Sequence, residues 1–99
     1  MKLPVFSSRD AQRMLNKIQA ETVQTRELHA RFYYAGKLIT RFTLPGTHGD
    51  GRDLSIGERR SLQRASRLSR GDFIDLVNCP MGRDEYVAAL KAMGHIPPD

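Results

Sequence analysis

The stretch from Leu28 to Thr43, LHARFYYAGKLITRFT, constrains the fold more than any other, because apolar and polar residues alternate on both sides of an Ala-Gly pair. Alternation with a period of two is the mark of a half-buried strand, and the central glycine supplies a reversal, so the stretch predicts a β-hairpin. With Gly36 in the left-handed position of a three-residue loop, Tyr34-Ala35-Gly36, the expected register sets Arg31 against Ile39 and His29 against Arg41. Leu28, Ala30 and Phe32 then share a face with Leu38, Thr40 and Phe42. The other face displays His29, Arg31, Tyr33, Lys37, Ile39, Arg41 and Thr43, a cationic, aromatic and hydrogen-bonding surface suited to a phosphodiester chain.

The rest of the chain supplies what such a hairpin packs against. Ser7 or Ser8 as N-cap and Asp10 in the first turn start a helix through about Ala20, with Ala11, Met14, Leu15 and Ile18 on one side and Arg9, Arg13 and Lys17 on the other. Residues 21–27 (ETVQTRE) favour extended chain and predict a short first strand. Pro45 ends the third strand, since it offers no amide to the ladder. Ser55 and Glu58 form a capping box for a helix through about Leu68. Two further helices follow, one ended by Pro80 and one from about Arg83 to Met93 with Gly94 as its cap, then HIPPD as a frayed tail. The expected fold class is therefore α+β, a small antiparallel three-stranded sheet packed by helices, in the order α-β-β-β-α with two C-terminal helices.

Ninety-nine residues predict a single domain, 1–99. Its charge is divided: residues 1–70 hold 14 Lys/Arg against 6 Asp/Glu, and residues 71–99 hold 2 against 5. A basic α+β core thus precedes an acidic helical extension. Twelve of the 16 cations are arginine, the planar donor that pairs bidentately with phosphate, which points to a polyanionic partner for the first seventy residues. On the second helix Arg60, Arg64 and Arg67 fall close together opposite Leu62, with Arg59 to one side. The single cysteine, Cys79, cannot form an intramolecular disulfide. Together with the lack of a signal-like or membrane-spanning apolar run, it gives a cytoplasmic protein with no membrane association as the expectation.

The loop PGTHGDG holds His48 between Gly46 and Gly49, a backbone able to come close to a ligand. It is not a phosphate-binding P-loop, because no Gly-Lys-Ser/Thr follows, and a lone histidine is a poor metal site, so neither metal nor cofactor is expected. The order of helix, short strand, hairpin, Gly/His loop and basic helix over residues 8–68, with His29, Gly36, Pro45, His48 and Leu62 in sequence, resembles the HicA family of toxin–antitoxin ribonucleases. In that family's signature Gly-Ser-His, this chain has Glu27-Leu28-His29. The resemblance implies a double-stranded-RNA-binding-domain-like fold, metal-independent endoribonuclease activity on RNA and an antitoxin partner. Metal-free RNA cleavage needs proton carriers and phosphate-holding cations. His29 and His48 are the candidates for the first role. Arg31, Tyr33, Lys37, Arg41, Arg59, Arg60, Arg64 and Arg67 are those for RNA contact. A non-catalytic nucleic-acid-binding module and a protein-interaction adaptor are the alternatives.

Overall fold

A computed structural model describes residues 3–44, 53–78 and 81–97. Its elements run α1 (Ser8–Lys17), β1 (Glu21–Gln24), β2 (Leu28–Tyr34), β3 (Lys37–Leu44), α2 (Ile56–Ser66), α3 (Arg70–Asn78) and α4 (Arg83–Ala92). The three strands form one antiparallel sheet in the order β1-β2-β3, so this is an α+β fold with the predicted succession of elements.

Each helix begins or ends where a specific backbone group finds a partner. Ser7 and Asp10 form a reciprocal capping box at α1, with Asp10 N donating to Ser7 Oγ at 3.1 Å and Ser7 N to Asp10 Oδ2 at 3.0 Å. These donors hold the Asp10 carboxyl below its ordinary range, the backbone amide of Ser7 contributing most. At the other end Gln19 takes a positive φ of 58° and Ala20 N donates back to Leu15 O, closing the helix without a glycine. Ser55 and Glu58 make the same capping box at α2.

The hairpin differs from the expected register. Tyr34 pairs with Lys37 across a two-residue turn in which Ala35 and Gly36 both have positive φ, 51° and 79°, as a type I′ turn requires. Such a turn alone would bring Ile39 opposite Phe32 and exchange the faces of β3. A β-bulge prevents this: Tyr33 pairs with Leu38 and Phe32 with Thr40, leaving Ile39 as the extra residue. Beyond the bulge Arg31 faces Arg41, Ala30 faces Phe42 and His29 faces Thr43, so His29 is not opposite Arg41. Ala30, Phe32, Thr40 and Phe42 are buried, as alternation anticipated, and Leu44 joins them, whereas Leu28 is only partly buried and Leu38 is 38% exposed.

The acidic C-terminal helices share the core of the basic part. Phe73 meets the edge of Phe6 at a centroid distance of 5.9 Å, and Tyr86 meets Phe32 at 4.9 Å. Arg83 reaches from α4 to donate to Ile18 O at 2.9 Å, filling an open carbonyl at the end of α1, and stacks over the Phe32 ring at 5.0 Å. His95 and Ile96 do not fray: His95 N donates to Leu90 O at 2.9 Å and Ile96 is 1% exposed. Gly94, at φ 81°, is the left-handed residue that turns the chain for this closure. Among the described residues no helix is long and apolar enough to cross a membrane.

Candidate nucleic-acid interface

The C-terminal end of α2 is fixed by side chains from three directions. Thr40 Oγ1, on β3, donates to Ala65 O; Ser66 Oγ donates to Gln63 O; and Tyr86 Oη, on α4, donates to Ser66 O at 2.9 Å in a buried position. Arg67 N closes on Arg64 O at 3.2 Å. The carbonyls that a helix end leaves open are thus taken up by the protein itself, which ends α2 at Ser66 rather than near Leu68. Burial pushes the Tyr86 phenol above its ordinary range, so it stays a donor. Arg67 is held in the left-handed conformation, φ 65°, a place that usually falls to glycine.

This anchorage sets α2 beside the outer strand β3 and leaves a groove of about 480 Å³ between them. Arg41 comes from the strand, Arg64 and Arg67 from the helix; Ser61 adds a hydroxyl, while Leu38, Ile39 and Ala65 supply apolar surface. Arg64 and Arg67 are exposed, and among the described residues no carboxylate pairs with the side chain of Arg41, Arg64 or Arg67. Further along α2, Arg60 and Arg64 line a second depression of about 230 Å³ with Gln63 and Arg70. Three guanidinium groups at one groove make a field that favours a polyanion, and the apolar strip gives a base or sugar something to lie against.

The open face of the sheet continues from Arg41. Arg31 and Arg41 are directly opposite and both exposed, an arrangement of like charges that costs stability unless an anion sits between them. Glu21 lies across from Arg31 on the other side. Tyr33 is half-buried and its carbonyl accepts from Arg83 Nη2, while Lys37 is exposed at the hairpin tip. His29 is exposed in the row beyond Arg31, between Val23 and Thr43, and is not among the residues lining the arginine groove. His48 lies outside the described residues. Among the described residues there is no group of three or more His, Cys, Asp or Glu able to hold a metal ion.

The expectation for Arg59 is corrected. Its side chain is 8% exposed and donates from Nη1 to Leu3 O at 3.1 Å and Pro4 O at 2.9 Å, and from Nε to Ser55 O. It ties the N-terminal segment to α2 instead of belonging to the solvent-facing stripe. Arg70 was missed in the sequence, where it reads as a loop residue; at the first position of α3 it comes beside Arg60 and Arg64. Its position three residues after Arg67 was the available signal. The strand arginine and the helix arginines, which read as two separate patches in sequence, form one groove through Arg41.

Comparison with known proteins adds one short similarity. A 49-residue stretch, half of the chain, is 43% identical to part of the "Methylenetetrahydrofolate--tRNA-(uracil-5-)-methyltransferase TrmFO" of Synechococcus sp. (strain CC9605). The similarity spans 9% of that protein's length. No family model matches the chain, and no solved structure matches it.

Proposed function

We propose that this chain is an RNA-binding module whose contact surface is the groove between β3 and α2 together with the adjoining open face of the sheet. The observation that carries the reading is the convergence of Arg41, Arg64 and Arg67, without carboxylate partners among the described residues, on one groove with an apolar strip. Phosphate contacts dominate affinity for nucleic acids, and arginine provides them with bidentate geometry. RNA is favoured as the polyanion because the short similarity is to a protein named for acting on tRNA. The RNA-binding role fits a cytoplasmic protein. Titrating labelled single-stranded RNA and a tRNA into the ¹⁵N-labelled protein tests it: resonance shifts concentrated at Arg41, Ser61, Arg64 and Arg67 are expected. Shifts confined to α3 and α4 would refute the assignment.

A second reading is the HicA-like endoribonuclease of a toxin–antitoxin pair. What favours it is His29, exposed on the same sheet face as Arg31 and Arg41, so that a bound phosphate and an imidazole lie about two residues apart along a strand, roughly 7 Å. In that reading His29 carries a proton for the 2′-hydroxyl or the leaving oxygen, and His48 is its partner. RNA cleavage that disappears in His29→Ala and His48→Ala while binding persists would distinguish the enzyme from the pure binding module.

A further inference from the structure

On the side of α2 away from β3, a second cavity of about 430 Å³ is lined by Leu3, Val5, Ile56, Arg59, Arg60 and Arg70. Two features, its exposed apolar walls and a buried cation, separate it from the RNA groove, and its size suits a small ligand. Its walls include the large apolar side chains Val5, 64% exposed, and Ile56, 46% exposed, facing solvent at the cost that exposed apolar surface carries. Its volume lies within the range of about 300–1,000 Å³ typical of small-molecule sites. Most telling, one of its lining residues is a buried cation that no carboxylate among the described residues neutralises. Arg59 has five N–H donors. Three go to the carbonyls of Leu3, Pro4 and Ser55, and no carboxylate among the described residues meets the guanidinium. Among the described residues Nη2 donates to no group and is not one of the sealed unpartnered polar atoms, which there are Ser8 Oγ and Lys17 Nζ, and Arg59 lines the cavity. A buried unpaired charge is unfavourable, and an anion delivered to it gains what bulk water no longer supplies.

We propose that this cavity binds an amphiphilic carboxylate: the carboxylate accepts from Arg59 Nη2 and Arg60, and an aliphatic chain covers Val5, Ile56 and Leu3. The three carbonyl bonds hold the Arg59 guanidinium in place before the ligand arrives, so little side-chain entropy is lost on binding. A plain inorganic anion would satisfy the charge and leave the apolar walls uncovered. An uncharged amphiphile would do the reverse. The site therefore predicts a ligand that carries both properties, and it does not rest on the RNA reading.

Octanoate is the probe, titrated below its micellar range into the full ¹⁵N-labelled chain, with acetate, octanol and inorganic phosphate in parallel. Saturable shifts at Val5, Ile56 and the Arg59 side-chain Nε are expected, with octanoate binding at least tenfold tighter than each of the other three. Ile56→Ala, at an exposed position, should weaken octanoate threefold or more with the thermal transition retained. Arg59→Lys, which keeps the charge and removes Nη2, should lower the preference for octanoate over octanol threefold or more, with Arg60 left to hold the carboxylate. If that variant does not fold, the Ile56→Ala result and the Arg59 Nε shift decide. Equal binding of phosphate and octanoate, shifts at Arg41 and Arg64 instead, or no saturable binding would overturn the proposal.

Discussion

Neighbouring arginines on one helix have opposite fates. Arg59 and Arg60 are adjacent in sequence, yet Arg59 is buried against carbonyls 55 and 56 residues away, while Arg60 faces solvent. Helical spacing reveals which arginines share a stripe, but not that the N-terminal segment returns to cover one of them, so this distinction was not legible in the sequence. Arg59→Ala is expected to destabilise the protein by about 2–3 kcal/mol, since charged hydrogen bonds to buried carbonyls are lost, whereas Arg60→Ala should stay within about 0.5 kcal/mol. Urea denaturation of the two variants measures the contrast, and equal effects would contradict it. Arg67 makes the complementary case. In its left-handed conformation a glycine is free of the Cβ penalty, so Arg67→Gly should raise stability by about 1 kcal/mol while weakening RNA binding. A variant both less stable and unimpaired in binding would show that the residue is structural.

At the scale of elements, alternation identified the hairpin and its buried face, because the period of two is a property of the chain itself. The register was not legible. Whether Ala35-Gly36 closes a two- or three-residue loop depends on a bulge at Ile39, and the bulge is selected by the need to keep Phe32 and Phe42 on the helix-facing side. Phe32→Ala and Phe42→Ala should each cost about 3–5 kcal/mol, with a smaller loss for half-buried Tyr33, as thermal or chemical unfolding would report. The join between α4 and α2 has a pH signature. Tyr86 is held neutral when folded, with its pKa above the unfolded value near 10, so its contribution is complete below about pH 10 and declines as pH rises toward the folded pKa. Stability measured across pH 9–12 should fall less steeply in Tyr86→Phe than in the natural chain, although the variant starts lower for want of the bond to Ser66 O. Parallel profiles would place the titrating group elsewhere.

Across the whole molecule, the division into basic and acidic parts, plain in the charge count, is not a division of packing. Phe6 with Phe73 and Phe32 with Tyr86 join the two parts in one core. What the sequence leaves hidden is that β3 and α2, separated by more than ten residues of chain, lie side by side so that Arg41 meets Arg64 and Arg67. Tertiary packing through Thr40 and Tyr86 creates that proximity. The proposed RNA-binding role depends on this groove acting as a phosphate-binding surface. The most direct measurement is the slope of log affinity against log salt for single-stranded RNA, in the natural chain and in the Arg41→Gln/Arg64→Gln/Arg67→Gln variant. Each phosphate contact contributes about 0.7 to the slope, so the folded triple variant should bind more weakly with a slope flatter by about 2. A folded variant with the natural affinity and an unchanged slope would contradict the assignment of RNA to this groove.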